Sequence, residues 1–332
     1  MNELLIIFWI ILILLTGFCV LAFYIISKAH QEQFKRADYT ELSLNQSLNY
    51  SDFSSCYPRE LLRIPSGKHL LKGFLYGTEN KNGLIVISSG HRNSTEAYLR
   101  NMKYFVDQGW MVLCYDYTGY YNSEGKDMLD YTQAVRDLDA VLTYLENSDQ
   151  FKEVPCVLYG HSLGAYVSAA VLTFKHKVFA AVSASGFDKP IEQWAYSVKR
   201  FSGKLGDILG PMAALYLRVA YGKDTVRFSA VDGINSTDIP ILVVSGTTDE
   251  YYGGKSPLYI KRDKIINPNC SYILMDHEKH NGHFDYMLTD KALEYQNFCR
   301  ENNVSPVDKW LIMEQDDNFF NCINTFFLSA IR

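Results

Sequence analysis

Residues 154–173 read VPCVLYGHSLGAYVSAAVLT. Val154–Tyr159 is an unbroken apolar run of strand length, and Gly164–Thr173 has the composition of a helix. Between them stands Gly160-His161-Ser162-Leu163-Gly164, a serine flanked at both sides by a glycine one residue removed. The string alone is short and occurs by chance. A buried strand that runs directly into it and a helix that leaves it make a sharp strand–turn–helix, with the serine hydroxyl standing clear of the backbone.

The same alternation extends in both directions. Leu71–Gly77, Gly83–Ser88 (GLIVIS) and Trp110–Tyr115 (WMVLCY) read as strands before the turn, and Val178–Ser185, Ile239–Ser245 (IPILVVS) and Ser271–Met275 after it. Glu96–Gln108 carries Leu99, Met102 and Phe105 at helical spacing. The segment from Tyr131 to Leu145 repeats Val135, Leu138, Val141, Leu142 and Leu145 on one face of a 3.6-residue period. Continuous apolar strands separated by helices predict an α/β class: a mostly parallel, twisted sheet covered on both faces. Ligands then bind beyond the carboxyl ends of the strands.

A serine hydroxyl needs a base and an orienting acid. In a strand–turn–helix of this kind both follow the serine in the chain, each just past a later strand. Asp249 lies in the loop after Ile241–Ser245, with Glu250 one step further on. The last strand leads into Asp276-His277-Glu278-Lys279-His280-Asn281-Gly282-His283. His280 suits the distance back to Ser162, whereas His283 requires a longer loop; the expected catalytic set is therefore Ser162, Asp249 and His280, with His283 as the alternative base. Leu163, just after the serine, and His91, in the loop after Gly83–Ser88, are expected to supply backbone N–H groups for an oxyanion. The imidazole of His91 reads as a loop side chain rather than a catalyst.

With these residues in place the chain resembles the α/β-hydrolase superfamily over nearly all of its length beyond residue 57. Within it, the resemblance is to the bacterial serine-hydrolase branch related to S33 aminopeptidases, monoacylglycerol lipases and acyltransferase-like esterases. Asp116-Tyr117-Thr118-Gly119-Tyr120-Tyr121-Asn122-Ser123-Glu124-Gly125 is similar to the family's Asp-x-x-Gly-x-Gly-x-Ser-x-Gly loop, with Tyr121 at the second glycine. Pro155–Tyr159 and Ser183–Phe187 also look like members of that branch, and Ser89-Gly90 stands where the family has His-Gly. In the family a His followed by Asn is a common form of the base, which points to His280-Asn281. The resemblance also implies a helical lid over an acyl pocket. The interval of about fifty residues between Ser185 and Ile239 is longer than one crossover helix requires. Ile191, Trp194, Val198 and Phe201 recur there at helical spacing, and Gly210-Pro211 is expected to break a second helix.

Leu4–Ile26 contains no charged residue. As a helix it spans about 34 Å, enough for a hydrocarbon core of about 30 Å. A cleaved signal peptide is the alternative, but this apolar run exceeds the usual length and no cation precedes it. Glu3 precedes the run and Lys28, Lys35 and Arg36 follow it, so the positive-inside rule predicts a cytoplasmic body. The expected organisation is an anchor at 1–27, a polar tether at 28–57 and a hydrolase domain at 58–332, its lid at about 188–238.

The net charge of −5, with 32 Lys+Arg dispersed along the chain, gives no basic footprint for nucleic acid. The 7 Cys are scattered and lack zinc-ligand spacing. No G-x-G-x-x-G or G-K-[ST] loop accompanies the strands, so no metal, nucleotide or flavin cofactor is expected. The expected partners are the membrane, through the N-terminal helix, and a small-molecule or lipid-like acyl substrate. The predicted activity is that of a membrane-anchored serine esterase, lipase or thioesterase working through an acyl-enzyme. An S33-like peptidase or amidase and a catalytically inactive binding scaffold are the alternatives.

Overall fold

In the computed structural model, residues 2–39 and 47–332 are described. They form an eight-stranded sheet in the order β1-β2-β4-β3-β5-β6-β7-β8. β1 (Arg59–Ser66) and β2 (His69–Tyr76) make an antiparallel hairpin, and β2 pairs antiparallel with β4 (Met111–Tyr115). From β4 onward the sheet is parallel: β3 (Leu84–Ser88) lies between β4 and β5 (Cys156–His161), followed by β6 (Val178–Ala184), β7 (Ile241–Gly246) and β8 (Cys270–Met275).

The apolar runs are continuous because both faces are covered. Along β3 the pleat sends Leu84 and Val86 to one core and Ile85 and Ile87 to the other. In β5, Leu158 joins the first core and Val157 and Tyr159 the second. The first is closed by α3 (Tyr131–Glu146) and α4 (Leu163–Ala170). Asp130 caps α3, its carboxylate accepting from the Thr132 and Gln133 amides. The second core is closed by α2 (Leu99–Asp107) and by α9 (Asp317–Ile331), whose Phe320, Ile323 and Phe327 are fully buried. β1, α8 (Asp290–Asn302) and α9 add to the elements predicted from sequence.

The interval after β6 carries α5 (Pro190–Phe201) and α6 (Gly206–Tyr221), packed against each other. Its base is closed at Asp188, whose carboxylate accepts from Ser229 Oγ at 2.6 Å, the Val231 amide at 3.0 Å and Lys261 Nζ at 2.8 Å. α7 (Ala230–Asn235) falls within the expected lid interval but packs on α4, with Gly233 pressed against the Ala169 carbonyl. Gly210-Pro211 does not break α6. The proline lies in its second turn, and Gly210 brings the helix close to the Ala195 carbonyl on α5.

The polar tether is corrected. α1 (Asn2–Phe34) runs unbroken past the uncharged segment, because Ala22, Ile26, His30 and Phe34 form a four-residue stripe that buries against the domain. His30 meets Trp194 at 5.2 Å and Tyr221 at 4.7 Å between ring centroids. Beyond α1, Lys35 and Ala37 bridge to Asp127 and Tyr120, and the Arg36 guanidinium donates to the carbonyls of Tyr121, Ser123 and Gly125. Leu48 and Phe53 belong to the second core. The part of the expected tether at 40–46 lies outside the described residues.

Because Phe320 is fully buried between α2 and the sheet, Phe320→Ala should lower the unfolding free energy by about 3–5 kcal/mol. The exposed Cys322→Ala, on the same helix, should change it by less than about 0.5 kcal/mol. Urea unfolding in detergent micelles measures both.

Candidate active site

Ser162 occupies the turn between β5 and α4 with φ 58° and ψ −116°. Side-chain-bearing residues rarely adopt that conformation, and it costs about 1–3 kcal/mol. Its backbone is fixed on both sides: the Ser162 amide donates to the Ala184 carbonyl at 2.8 Å, and its carbonyl accepts from the Ala165 amide at 3.1 Å. The two glycines are there for space. A Cβ on Gly160 would lie 2.1 Å from the Gly164 carbonyl oxygen, and one on Gly164 would lie 1.9 Å from that of Ser88. Such distances exclude any side chain.

Asp249, fully buried, lies past β7 as predicted. Its Oδ2 accepts from His283 Nδ1 at 2.6 Å, and its Oδ1 accepts from the Tyr251 amide at 3.0 Å. The expectation that His280 partners Asp249 is thereby corrected. After β8 the chain reverses at Lys279, which has φ 68°, and His280 is turned toward α8, its Nε2 2.9 Å from Asp290 and its Nδ1 donating to the Asp285 carbonyl. Residues 276–280 are consumed by that reversal. The Asn281 carbonyl is then held by the Thr248 amide at 2.8 Å. Gly246 provides the room: a Cβ there would lie 2.1 Å from the Asn281 carbonyl oxygen and 2.2 Å from that of Gly282. Glu250 accepts from the His283 amide at 3.0 Å. The longer loop delivers the second histidine.

Ser162, Leu163, His91 and His283 line one cavity of about 620 Å³, walled by Tyr131, Phe187, Tyr196, Phe201, Tyr251 and Tyr252. Leu163 opens α4, where the first-turn N–H groups have no partner within the helix. The loop carrying Gly90 and His91 approaches the serine closely, and a Cβ on Gly90 would lie 3.6 Å from Ser162 Cβ. The Gly90 amide is engaged by Tyr98 Oη at 2.8 Å. The His91 ring is structural: Nε2–H donates to the Gln33 carbonyl at 3.1 Å while Nδ1 accepts from Tyr120 at 3.0 Å.

His161, an unspecified position of the G-x-S-x-G string, was not singled out from sequence. It is buried, with Nε2–H donating to the His283 carbonyl at 3.0 Å and Nδ1 3.3 Å from the Tyr98 hydroxyl. A carbonyl only accepts, so this tautomer is fixed. A relay of polar contacts thus runs from the His283 backbone through His161 and Tyr98 to Gly90. The only sequence signal for it was a histidine between a strand and the serine. Burial holds His161 neutral, with a pKa lowered to about 3, helped by the nearby His283. Burial lowers His91 to about 4, helped by Arg92.

Both imidazoles bind fewer protons folded than unfolded between their lowered values and about 6.5, so their contribution to stability is complete above about pH 6.5 and is lost as pH falls toward about 4 for His91 and about 3 for His161. In His161→Gln, the thermal midpoint should fall less steeply than in the wild type between pH 6.5 and pH 5. Parallel slopes in differential scanning fluorimetry would contradict the assignment of a neutral, buried His161.

Residues 79–216 match the family model described as serine aminopeptidase, S33. The polyketide transferase af380 of Aspergillus fumigatus is 30% identical over 131 residues, which cover 38% of this chain and 45% of that protein. The chain therefore spans less than half the length of that relative. The uncharacterized protein YqkD of Bacillus subtilis is 26% identical over 208 residues, covering 61% of this chain and 67% of its own. Among solved structures, the Pyrococcus furiosus esterase Pf2001 superposes with a TM-score of 0.61 at 16% identity, covering 90% of this chain and 100% of that one. The chain has the α/β-hydrolase fold, and its residues 79–216 match the family model of the S33 serine aminopeptidases.

Proposed function

We propose that the protein is a membrane-anchored serine hydrolase that cleaves carboxylic ester or thioester bonds through an acyl-enzyme intermediate. The observation that carries this reading is the 2.6 Å Asp249–His283 pair, whose histidine lines the same cavity as a serine held in a strained turn. Ser162 Oγ attacks the substrate carbonyl as His283 Nε2 takes its proton, and Asp249 holds the Nδ1–H and stabilises the imidazolium. The amides of Leu163 and His91 receive the oxyanion. The tetrahedral intermediate collapses when His283 returns the proton to the departing alcohol or thiol. Water, deprotonated by the same imidazole, then releases the acid and regenerates Ser162.

An ester is favoured over an aminoacyl amide by the wall chemistry. An aminopeptidase must hold its substrate's ammonium group, and among the described residues Glu250 is the one acid lining the cavity. Its Oε2 is already engaged by the His283 amide. The aromatic wall suits an acyl chain instead. α1 has the length and apolar content to cross a membrane. Lys28, Lys35 and Arg36 beyond its uncharged run support a cytoplasmic hydrolase domain.

Ser162→Ala and His283→Ala should each lower kcat/KM for p-nitrophenyl butyrate by at least about 10³, with folding intact. His280→Ala should stay within about threefold of the wild type, since its partners lie on the far side of the loop. Full activity in Ser162→Ala, or a loss in His280→Ala equal to that in His283→Ala, would overturn the assignment. Hydrolysis of an aminoacyl p-nitroanilide faster than of the butyrate ester would favour the S33-like amidase.

A further inference from the structure

A second cavity, of about 660 Å³, lies between the anchor helix and the lid. Ile25, Ile26 and Ala29 of α1, Trp194 and Val198 of α5 and Leu209 of α6 give it apolar walls. Along α1 the lining changes from Ile25, Ile26 and Ala29 to Glu32 and Gln33 over about 12 Å, and Lys35 follows just past the helix end. It is therefore apolar where α1 leaves its uncharged run and polar further from it. Gln33, Ser197 and Phe201 line both this cavity and the one that holds Ser162, so the two adjoin.

The lid beside it presents a second feature with the same orientation. Leu205, Ile208, Leu215 and Val219 recur at three-, four- and seven-residue spacings and are exposed, Val219 to 70%. Ile208, Leu215 and Val219 form an apolar stripe along α6, with Leu205 just before that helix and Phe201, 84% exposed, at the end of α5. α6 is fastened to α1 at the level where the uncharged run ends. Tyr216 packs edge-on to Phe23 at 6.2 Å, and its hydroxyl lies 3.4 Å from Ser27 Oγ. An apolar stripe beside a helix of membrane-spanning length, at the end of its uncharged segment, belongs at a bilayer surface.

We propose that the cavity between α1 and the lid is a lateral portal through which a membrane-resident long-chain ester reaches Ser162, its carbonyl in the catalytic cavity and its acyl tail lying along α1 toward the bilayer. The substrate class is thereby a lipid-like ester drawn from the membrane rather than from water. The proposal rests on the hydrolase reading above for its chemistry, while the cavity and its occupant are tested without turnover. The lid stripe would dip into the interface and keep the mouth of the portal against the hydrocarbon. His91, donating to the Gln33 carbonyl, ties the portal wall to the loop that faces Ser162.

The test uses the full chain reconstituted in vesicles of ether-linked phosphatidylcholine, which contain no carboxylic ester. Ala29→Trp and Val198→Trp each fill the portal and do not line the Ser162 cavity. Hydrolysis of p-nitrophenyl palmitate in the vesicles should fall at least tenfold, with p-nitrophenyl acetate within twofold of the wild type. Parallel loss of both rates, or an unchanged palmitate rate in a folded variant, would overturn the portal. Independently, Ser162→Ala with a diazirine-bearing sixteen-carbon ester should crosslink within residues 25–35 and 194–202, and Ala29→Trp should abolish this. Crosslinks confined to other surfaces would also overturn it. Crosslinks in these segments with no hydrolysis by the wild type would sustain the portal and sink the catalytic reading instead.

Discussion

The backbone of Ser162 is the constraint on which the site depends. A serine at φ 58° lies outside the conformations its side chain prefers, and it stays there only because its surroundings leave no alternative. β5 is paired on both edges, so the chain reaching Ser162 cannot shift along the sheet. α4 begins at once, and Gly164 lets it lie against the Ser88 carbonyl at the end of β3. The strain is carried by the pairing of the central strands, and its consequence is local: Ser162 and Leu163, the first residue of α4, line the same cavity.

The Asp249–His283 pair is positioned by a second close approach of the same kind. Gly246, at the end of β7, admits the Asn281 and Gly282 carbonyls where any Cβ would collide. The loop after β8 therefore folds down onto the loop after β7, and His283 meets Asp249. His161 then couples the two halves of the site, contacting the carbonyl of His283 on one side and Tyr98 on the other. Three loops from distant parts of the chain are thereby joined through hydrogen bonds.

Much of this was legible in the sequence. The buried parallel strands announce themselves as continuous apolar runs, and the glycine spacing around Ser162 places the turn. Asp249 follows because an acid one loop past an apolar strand has little freedom. The histidine was harder, since reach estimated along an extended loop favours His280. The reversal at Lys279 and the Asn281–Thr248 clamp are tertiary facts with no local pattern. The anchor's continuation was missed for another reason. Residues 27–34 are polar by composition, yet Ala22, Ile26, His30 and Phe34 recur every four residues, and that stripe packs against the domain. β1 carries partly exposed residues on an edge strand, where alternation is weak.

α1 continues unbroken from its uncharged run into contact with the domain. It supplies Gln33 to the wall of the cavity that Ser162 lines and a partner for the His91 ring, so α1 is part of the scaffold around Ser162. The central claim, that Ser162, His283 and Asp249 form one reacting unit, is tested most directly by a structure of the protein after inactivation with an alkyl fluorophosphonate. Phosphorus should be bonded to Ser162 Oγ, with the phosphonyl oxygen within about 3.1 Å of the Leu163 and His91 amides and the His283 ring beside the adduct. An unmodified Ser162, or an adduct attended by His280 in place of His283, would contradict it.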